Sequence, residues 1–177
     1  GIYAIGFEQP SPIQKKGIVP MIRTNKDGKR RDIIAQAQSG TGKTGCFSVG
    51  VLNIVNPENK YTQGLILAPT HELAGQIRDV ITDLGRFDNI VTQLLVGGTS
   101  VDSDREKLDN DPPHIIVGTP GRVHDMIRRK YLKTEKIQVI VLDEADEMLS
   151  QGFKDQIYKI FQYMPSSDRK STRLNSK

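Results

Sequence analysis

One stretch of the sequence decides the fold: Ala37-Gln38-Ser39-Gly40-Thr41-Gly42-Lys43-Thr44. Gly40 and Gly42 allow backbone angles that residues with a Cβ disfavour, so successive N–H groups can turn inward around a polyphosphate at a helix N-terminus. Lys43 adds a positive charge for the β- and γ-phosphates, and the Thr44 hydroxyl suits a Mg²⁺ ligand. The spacing fits G-x-x-x-x-G-K-S/T except at the first position, where Ala37 replaces glycine. We therefore predict a phosphate-binding loop.

The surroundings of this stretch favour the loop over a plain surface turn rich in Gly, Ser and Thr. A short apolar run at residues 32–35 precedes it, and a helix-forming segment at 47–55 follows. Strand, loop and helix in that order are the context that the motif requires.

Short apolar runs alternate with helix-forming segments along the rest of the chain. The predicted strands are residues 64–68, 90–96, 114–117 and 137–142. Helices are predicted to begin at Ser11-Pro12, at Pro69 and at Thr119-Pro120, and the second of these is expected to reach about residue 87. This alternation predicts an α/β fold, in which helices flank a parallel sheet and ligands bind beyond the carboxyl ends of the strands.

Length and composition are those of an ordinary globular domain: 177 residues, 36% hydrophobic and 26% charged. The apolar runs are too short to span a bilayer, so no membrane partner is expected. The single cysteine, Cys46, cannot form an internal disulfide, which fits a reducing compartment. We expect a cytoplasmic protein, with the nucleus left open.

The net charge of +4 is weak evidence for nucleic-acid binding because of where it lies. Residues 170–177 hold three basic residues and no acid, and residues 23–31 hold five basic residues against Asp27. A surface that binds RNA must therefore be local.

Two acidic residues directly follow the last predicted strand. Asp143 is placed to hold Mg²⁺ opposite Thr44, and Glu144 to orient or deprotonate an attacking water. Adjacent carboxylates at a strand end also occur as a simple helix-cap feature, but the phosphate-binding loop in the same sheet changes the balance. The two halves together predict a nucleoside triphosphatase.

Gln14 lies in the first turn of the first predicted helix. Its amide matches the N6 and N7 edge of adenine. A lone glutamine on a helix is usually only solvated, so this assignment depends on the rest of the site.

Further motifs occur in a fixed order along the chain. The whole series comprises Gly6-Phe7 and residues 10–14, 37–44, 69–74, 97–98, 119–122 and 143–146. It resembles the first RecA-like domain of the DEAD-box RNA helicases, and most closely their translation initiation factor four-A type. The resemblance covers roughly residues 1–165. It implies a RecA-like ATP-binding domain at residues 1–169 of an ATP-dependent RNA helicase that uses ATP and Mg²⁺.

The same resemblance implies partners and residue roles. Single-stranded or structured RNA and translation initiation proteins would be the partners of a monomer. Gln14 would bind adenine, with Phe7 and Pro10 shaping that segment. The phosphates and metal would be held by Gln38, Ser39, Gly40, Thr41, Gly42, Lys43, Thr44 and Asp143, with Glu144 on the hydrolytic water. A groove for the RNA sugar-phosphate backbone would be lined by Pro69, Thr70, His71, Gly97, Gly98, Thr119, Pro120, Gly121 and Arg122. Taken singly, these last segments also fit ordinary strand-to-helix turns.

The sequence departs from the family pattern in two places. His71 stands where the family has arginine, and an imidazole is mostly neutral near pH 7 whereas a guanidinium is permanently charged. After residue 169 the family continues with an apolar strand carrying Ser-Ala-Thr, but residues 170–177 here are polar. We expect a truncated domain with a disordered or non-native tail, and little ATP turnover without the family's second domain.

Three other functions share these motifs. An ATP-dependent RNA clamp that recruits partners without unwinding RNA would use the same residues. A DNA-directed P-loop motor is disfavoured by Gln14 and by the tetrad at residues 143–146. A catalytically dead relic is also conceivable, although Lys43, Asp143 and Glu144 are all present.

Overall fold

Four of the apolar runs form the strands of a parallel sheet. A computed structural model describes residues 9–26, 28 and 42–165. The strands are β1 (Gly64–Leu67), β2 (Thr92–Leu95), β3 (Ile115–Gly118) and β4 (Val139–Leu142), in the order β2-β3-β1-β4. Every pairing is parallel, and Leu67 lies opposite both Gly118 and Leu142. The predicted parallel sheet is confirmed, with β1, β2 and β4 one to three residues shorter than predicted and β3 shifted by one residue. The strand predicted at residues 32–35 lies outside the described residues.

Seven helices connect and cover these strands within the described part of the chain. Their bounds are α1 (Pro12–Ile22), α2 (Lys43–Ile54), α3 (His71–Leu84), α4 (Val101–Asn110), α5 (Pro120–Arg128), α6 (Ala145–Ser150) and α7 (Lys154–Gln162). The predicted N-caps Ser11 and Thr119 are confirmed, each followed by proline at the first helical position. In these ranges, no helix is both long and apolar enough to cross a membrane.

Helices α3 and α4 differ from the sequence predictions. Helix α3 begins at His71, after the N-cap Thr70, rather than at Pro69, and it ends at Leu84 rather than near residue 87, with Gly85 at its C-cap. Helix α4 falls in a segment between two predicted strands for which no helix was predicted. Its start is stabilised by Ser100, whose hydroxyl accepts a hydrogen bond from the Ser103 N–H, and by acidic residues in the first turn.

Alternate residues of the central strands pack into two separate cores. In β1, Leu65 and Leu67 belong to the core that α4 to α7 cover, whereas Ile66 belongs to the core that α2 and α3 cover. All three are fully buried. Burial of one such side chain stabilises the fold by about 1.5–3 kcal/mol. The helices therefore shield both faces of the sheet and leave its edges and strand ends for binding.

Gly118 at the end of β3 has no room for a side chain. A Cβ there would overlap the Leu95 carbonyl oxygen and lie 2.8 Å from Val123 Cγ2. We expect Gly118→Ala to lower the free energy of unfolding by about 1–3 kcal/mol, because the backbone oxygen cannot move aside without breaking the sheet. Urea unfolding measures this change.

The matched control is Gly75→Ala, in α3, where a Cβ would meet no atom within 4 Å. This change should stabilise the protein, since alanine favours helix by up to about 1 kcal/mol over glycine. Equal effects of the two substitutions would contradict the close approach of β2 and β3 at Gly118.

Candidate functional site

The phosphate-loop motif ends at the start of helix α2. Gly42 is the N-cap, with φ of +90°, and Lys43 and Thr44 are the first two helical residues. A Cβ on Gly42 would lie 2.7 Å from Gln14 Nε2 and 2.8 Å from Ser11 Oγ, so both backbone conformation and space require glycine. The predicted ligands Phe7, Gln38, Ser39, Gly40 and Thr41 lie outside the described residues.

Lys43 meets the acidic pair across the sheet edge. Its Nζ lies 2.9 Å from Glu144 Oε1 and 3.2 Å from Asp143 Oδ1, although 101 residues separate Lys43 from Glu144. Burial lowers the pKa of the Lys43 ammonium, but hydrogen bonds and attraction from Glu144 and Asp143 outweigh it and raise the pKa above its ordinary value. Lys43 is therefore a cation at neutral pH, held where strand β4 ends.

The two carboxylates have different surroundings. Asp143 is 4% exposed and its N–H donates to the Leu67 carbonyl, which continues the sheet pairing by one residue. The Glu144 side chain is 44% exposed. Its φ of +53° is left-handed, a conformation that costs a non-glycine residue about 1–3 kcal/mol. The sequence therefore places one fixed, buried carboxylate beside one that is open to solvent.

The donor set fits a magnesium ion. Mg²⁺ is usually held by one or two carboxylates together with phosphate oxygens and waters. Asp143 supplies such a carboxylate and Thr44 a hydroxyl. Among the residues that the structure describes, no group of three or more His, Cys, Asp or Glu side chains is arranged to hold a metal. Phosphate oxygens and waters would complete the coordination.

Gln14 is the one buried residue of helix α1, all of which is described. Its Oε1 accepts from the Ser11 N–H at 3.0 Å, and its Nε2 donates to the Gly42 carbonyl at 3.1 Å. The side chain thus touches the end of the phosphate-loop motif and uses one of its two amide hydrogens to do so. Pro10, four residues earlier in the sequence, is exposed. The adenine role of both residues stays a prediction.

The segments predicted to contact RNA converge at the same end of the sheet. Thr70 caps helix α3 by accepting from the Leu73 N–H at 3.2 Å, and His71 Nε2 lies 3.5 Å from the position of a Cβ on Gly97. An open depression of about 350 Å³ lies between them and helix α5. It is lined by His71, Gly97, Thr119, Gly121, Arg122, Asp125 and Phe153. The structure therefore brings together residues from all three predicted segments.

Other predicted RNA-binding residues of these segments have structural roles. Pro69 and Pro120 are buried at the starts of α3 and α5. Gly98 has φ of +82°, a conformation that favours glycine. Arg122, predicted to face RNA, has a side chain only 9% exposed and forms an ion pair with buried Asp104.

Sequence reasoning missed several residues here. Phe153 and Asp125 line the depression, and buried Asp104 pairs with Arg122, which also lines it. Asp125 accepts from Arg128 at 2.7 Å and from Arg129 at 2.8 Å. The hydrogen bond from Arg128 is the main cause that lowers the pKa of the Asp125 carboxyl. Nothing in the sequence marks Asp104 as the partner of Arg122, because it is one of several acids on helix α4.

Comparison with known proteins gives one consistent result. The family profile described as DEAD/DEAH box helicase matches residues 11–175. Proteins named ATP-dependent RNA helicase eIF4A from Neurospora crassa and Chaetomium globosum are 56% and 57% identical over 167 residues, which is 94% of this chain. The chain spans 40% of the length of these relatives.

Solved structures agree with the sequence relatives. S. cerevisiae Dbp5 bound to RNA and ADP BeF3 superposes with a TM-score of 0.82 and 43% identity, over 93% of this chain and 40% of that one. A DEAD box protein from the hyperthermophile Methanococcus jannaschii gives 0.83 and 37%, over 92% of this chain and 43% of that one.

Proposed function

This chain belongs to the DEAD/DEAH box helicase family, and from that premise we propose that it is the ATP-binding, RNA-facing part of an ATP-dependent RNA helicase. The observation that carries the proposal is the contact of Lys43 Nζ with Glu144 Oε1, 2.9 Å apart at the carboxyl edge of a parallel sheet. This contact places a cation that can bind phosphate next to a carboxylate that can orient the attacking water.

Each residue of this cluster has a distinct part in the proposed hydrolysis. Lys43 binds the β- and γ-phosphates once it leaves the carboxylates, and Gln14 holds adenine. Thr44 and Asp143 would hold Mg²⁺, which would supply charge neutralisation for the phosphate oxygens. Glu144 orients the attacking water and takes its proton, a role that its 44% exposure permits. Most of the catalysis is positional and electrostatic.

RNA lies along the depression beside His71 and the start of α5. Helix N-termini and glycine backbones in this depression favour phosphate and sugar contacts, which carry no sequence information. RNA as the ligand is supported by the similarity of this fold to S. cerevisiae Dbp5, whose structure is bound to RNA and ADP BeF3.

Translation initiation is the proposed setting. It is supported by the relatives from Neurospora crassa and Chaetomium globosum, which are named ATP-dependent RNA helicase eIF4A. Translation initiation proteins are then the protein partners, and the cytoplasm is the location.

The deciding experiment compares RNA-stimulated ATP hydrolysis by the 177-residue chain and by the same chain joined to the remaining part of the Neurospora crassa relative. Stimulation by RNA in the joined protein would support the proposal, and strand separation of a short duplex would separate a helicase from a clamp. A joined protein that binds nucleotide but gains nothing from RNA would refute it.

His71→Arg should strengthen RNA binding. His71 is exposed and borders the depression, where an arginine would bring a permanent charge and a planar fork to the RNA backbone. Fluorescence anisotropy with a labelled single-stranded RNA measures the difference. Equal affinity of the two proteins would contradict the prediction. His124→Arg, on α5 outside the predicted RNA segments, is the control.

A further inference from the structure

A polar cluster borders the proposed RNA surface, because its arginine lines the depression and its threonine is exposed. It consists of Thr99, Asp104 and Arg122, here called the Asp104 cluster. Asp104 is 4% exposed and the Arg122 side chain 9%. The three residues come from the turn after β2, from α4 and from α5, so the cluster joins three elements.

The guanidinium of Arg122 donates three hydrogen bonds within this cluster. Its Nη1 donates to Asp104 Oδ2 and, at 2.9 Å, to Thr99 Oγ1. Its Nη2 donates to the Thr99 carbonyl at 2.7 Å. Both Nη groups therefore donate to buried Asp104 or to exposed Thr99, and only 9% of the Arg122 side chain remains exposed for a ligand in solvent.

Asp104 also forms hydrogen bonds beyond its ion pair with Arg122. Its backbone carbonyl accepts from Gln93 Nε2 at 3.1 Å, and Gln93 is itself buried in β2. The Thr99 hydroxyl lies 2.9 Å from the Val96 carbonyl and 3.1 Å from Asp104 Oδ2. With one hydrogen, it donates to one of them at a time while it accepts from Arg122.

The residues that this cluster fixes are those that face RNA. Gly97 and Gly98 directly precede Thr99, and Gly98 has the left-handed φ of +82°. Pro120 and Gly121 directly precede Arg122 at the start of α5. Since Arg122 bonds both the side chain and the backbone of Thr99, it sets the distance between the glycine turn and the α5 N-terminus.

We propose that Asp104 and Arg122 are positioning residues for RNA binding, and that Arg122 acts through the glycine turn rather than as a direct phosphate ligand. This inference rests on the proposed RNA function of the depression. It changes the role that family resemblance gives to Arg122, and it assigns a role to Asp104.

The two roles of Arg122 predict opposite effects of Asp104→Asn. If Arg122 contacted phosphate, removal of the neighbouring negative charge would tighten RNA binding. If the cluster positions the turn, the same change weakens RNA binding by about tenfold, as is typical when a supporting hydrogen-bond partner of a ligand site is lost. Asp102→Asn is the control, because Asp102 is exposed in the same first turn of α4 and carries the same charge.

The experiment uses the 177-residue chain and a fluorescently labelled oligouridylate at several salt concentrations. We expect Asp104→Asn to weaken binding about tenfold, Asp102→Asn to change it less than twofold, and labelled-ADP affinity to stay unchanged in both. Arg122→Gln added to Asp104→Asn should weaken binding little further. Tighter binding by Asp104→Asn, or equal effects of the two asparagine variants, overturns the proposal.

Two further measurements keep the test decisive. If Asp104→Asn does not fold, Thr99→Val replaces it in the test. Thr99→Val removes the hydroxyl and leaves both charges, so it should weaken RNA binding, and unchanged affinity overturns the proposal. If the parent chain binds no RNA, the RNA function fails, and amide NMR shifts of Gly97 to Thr99 then decide. Shifts moved by Asp104→Asn and not by Asp102→Asn support the positioning role, and unmoved shifts overturn it.

Discussion

Glu144→Gln is expected to lower RNA-stimulated ATP hydrolysis by about 10²- to 10⁴-fold in the protein joined to the rest of a relative, because the amide cannot take a proton from water. Nucleotide affinity should change little, since Asp143 remains 3.2 Å from Lys43 Nζ and Lys43 keeps its charge. Steady-state hydrolysis and labelled-ATP titration measure the two quantities on the same samples.

The control for this prediction is Glu147→Gln. Glu147 lies in the first turn of α6, is exposed, and loses the same charge on substitution. It should retain nearly full activity, because it makes no contact with Lys43 among the described ion pairs. Loss of hydrolysis in both variants would indicate a charge effect on the whole α6 turn, and unchanged hydrolysis in Glu144→Gln would rule out Glu144 as the base.

Lys43→Ala should weaken nucleotide binding by about 10- to 150-fold. A charge-assisted hydrogen bond contributes about 1.5–3 kcal/mol, and each 1.4 kcal/mol is a factor of ten. Titration of labelled ADP and ATP into the 177-residue chain measures the loss. The effect should be larger for ATP, since Lys43 is predicted to reach the γ-phosphate.

The same substitution should also lower the free energy of unfolding. It leaves Asp143, only 4% exposed, without its cation. The loss should fall below the roughly 3–5 kcal/mol of a fully buried pair, because the Lys43 side chain is 20% exposed. Lys60→Ala, at an exposed position, is the control. Asp143→Asn combined with Lys43→Ala should recover stability, and a further additive loss would show that the two side chains do not interact.

The strand pattern of the fold was predictable because it is local. Each apolar run is flanked by polar or turn residues, and strand β1 at Gly64–Leu67 was placed to within one residue. The end of α3 and the whole of α4 were missed. In α4, the apolar residues are too few to mark a face, since Leu108 is its one buried hydrophobic residue.

The candidate site also contains residues that the sequence could predict and residues that it could not. Lys43, Asp143 and Glu144 could be placed together because the motif and the strand end both point to one edge of the sheet. The Asp104 cluster could not be predicted, because Asp104 looks like one more solvated acid on an acidic helix. Only the distance between helices α4 and α5 shows that it faces Arg122, and that distance depends on the packing of the whole sheet.

The strand order also has a consequence in time. Strand β1 lies between β3 and β4, so Gly64 waits for its partner Val139, 75 residues later in the chain. At a synthesis rate of about 5–20 residues per second, roughly 4–15 s pass on the ribosome before that edge can pair. During this interval an apolar edge is open to wrong partners, which makes this a domain that should depend on chaperones while it is being made. The carboxylates that meet Lys43 emerge only at the end of the same interval.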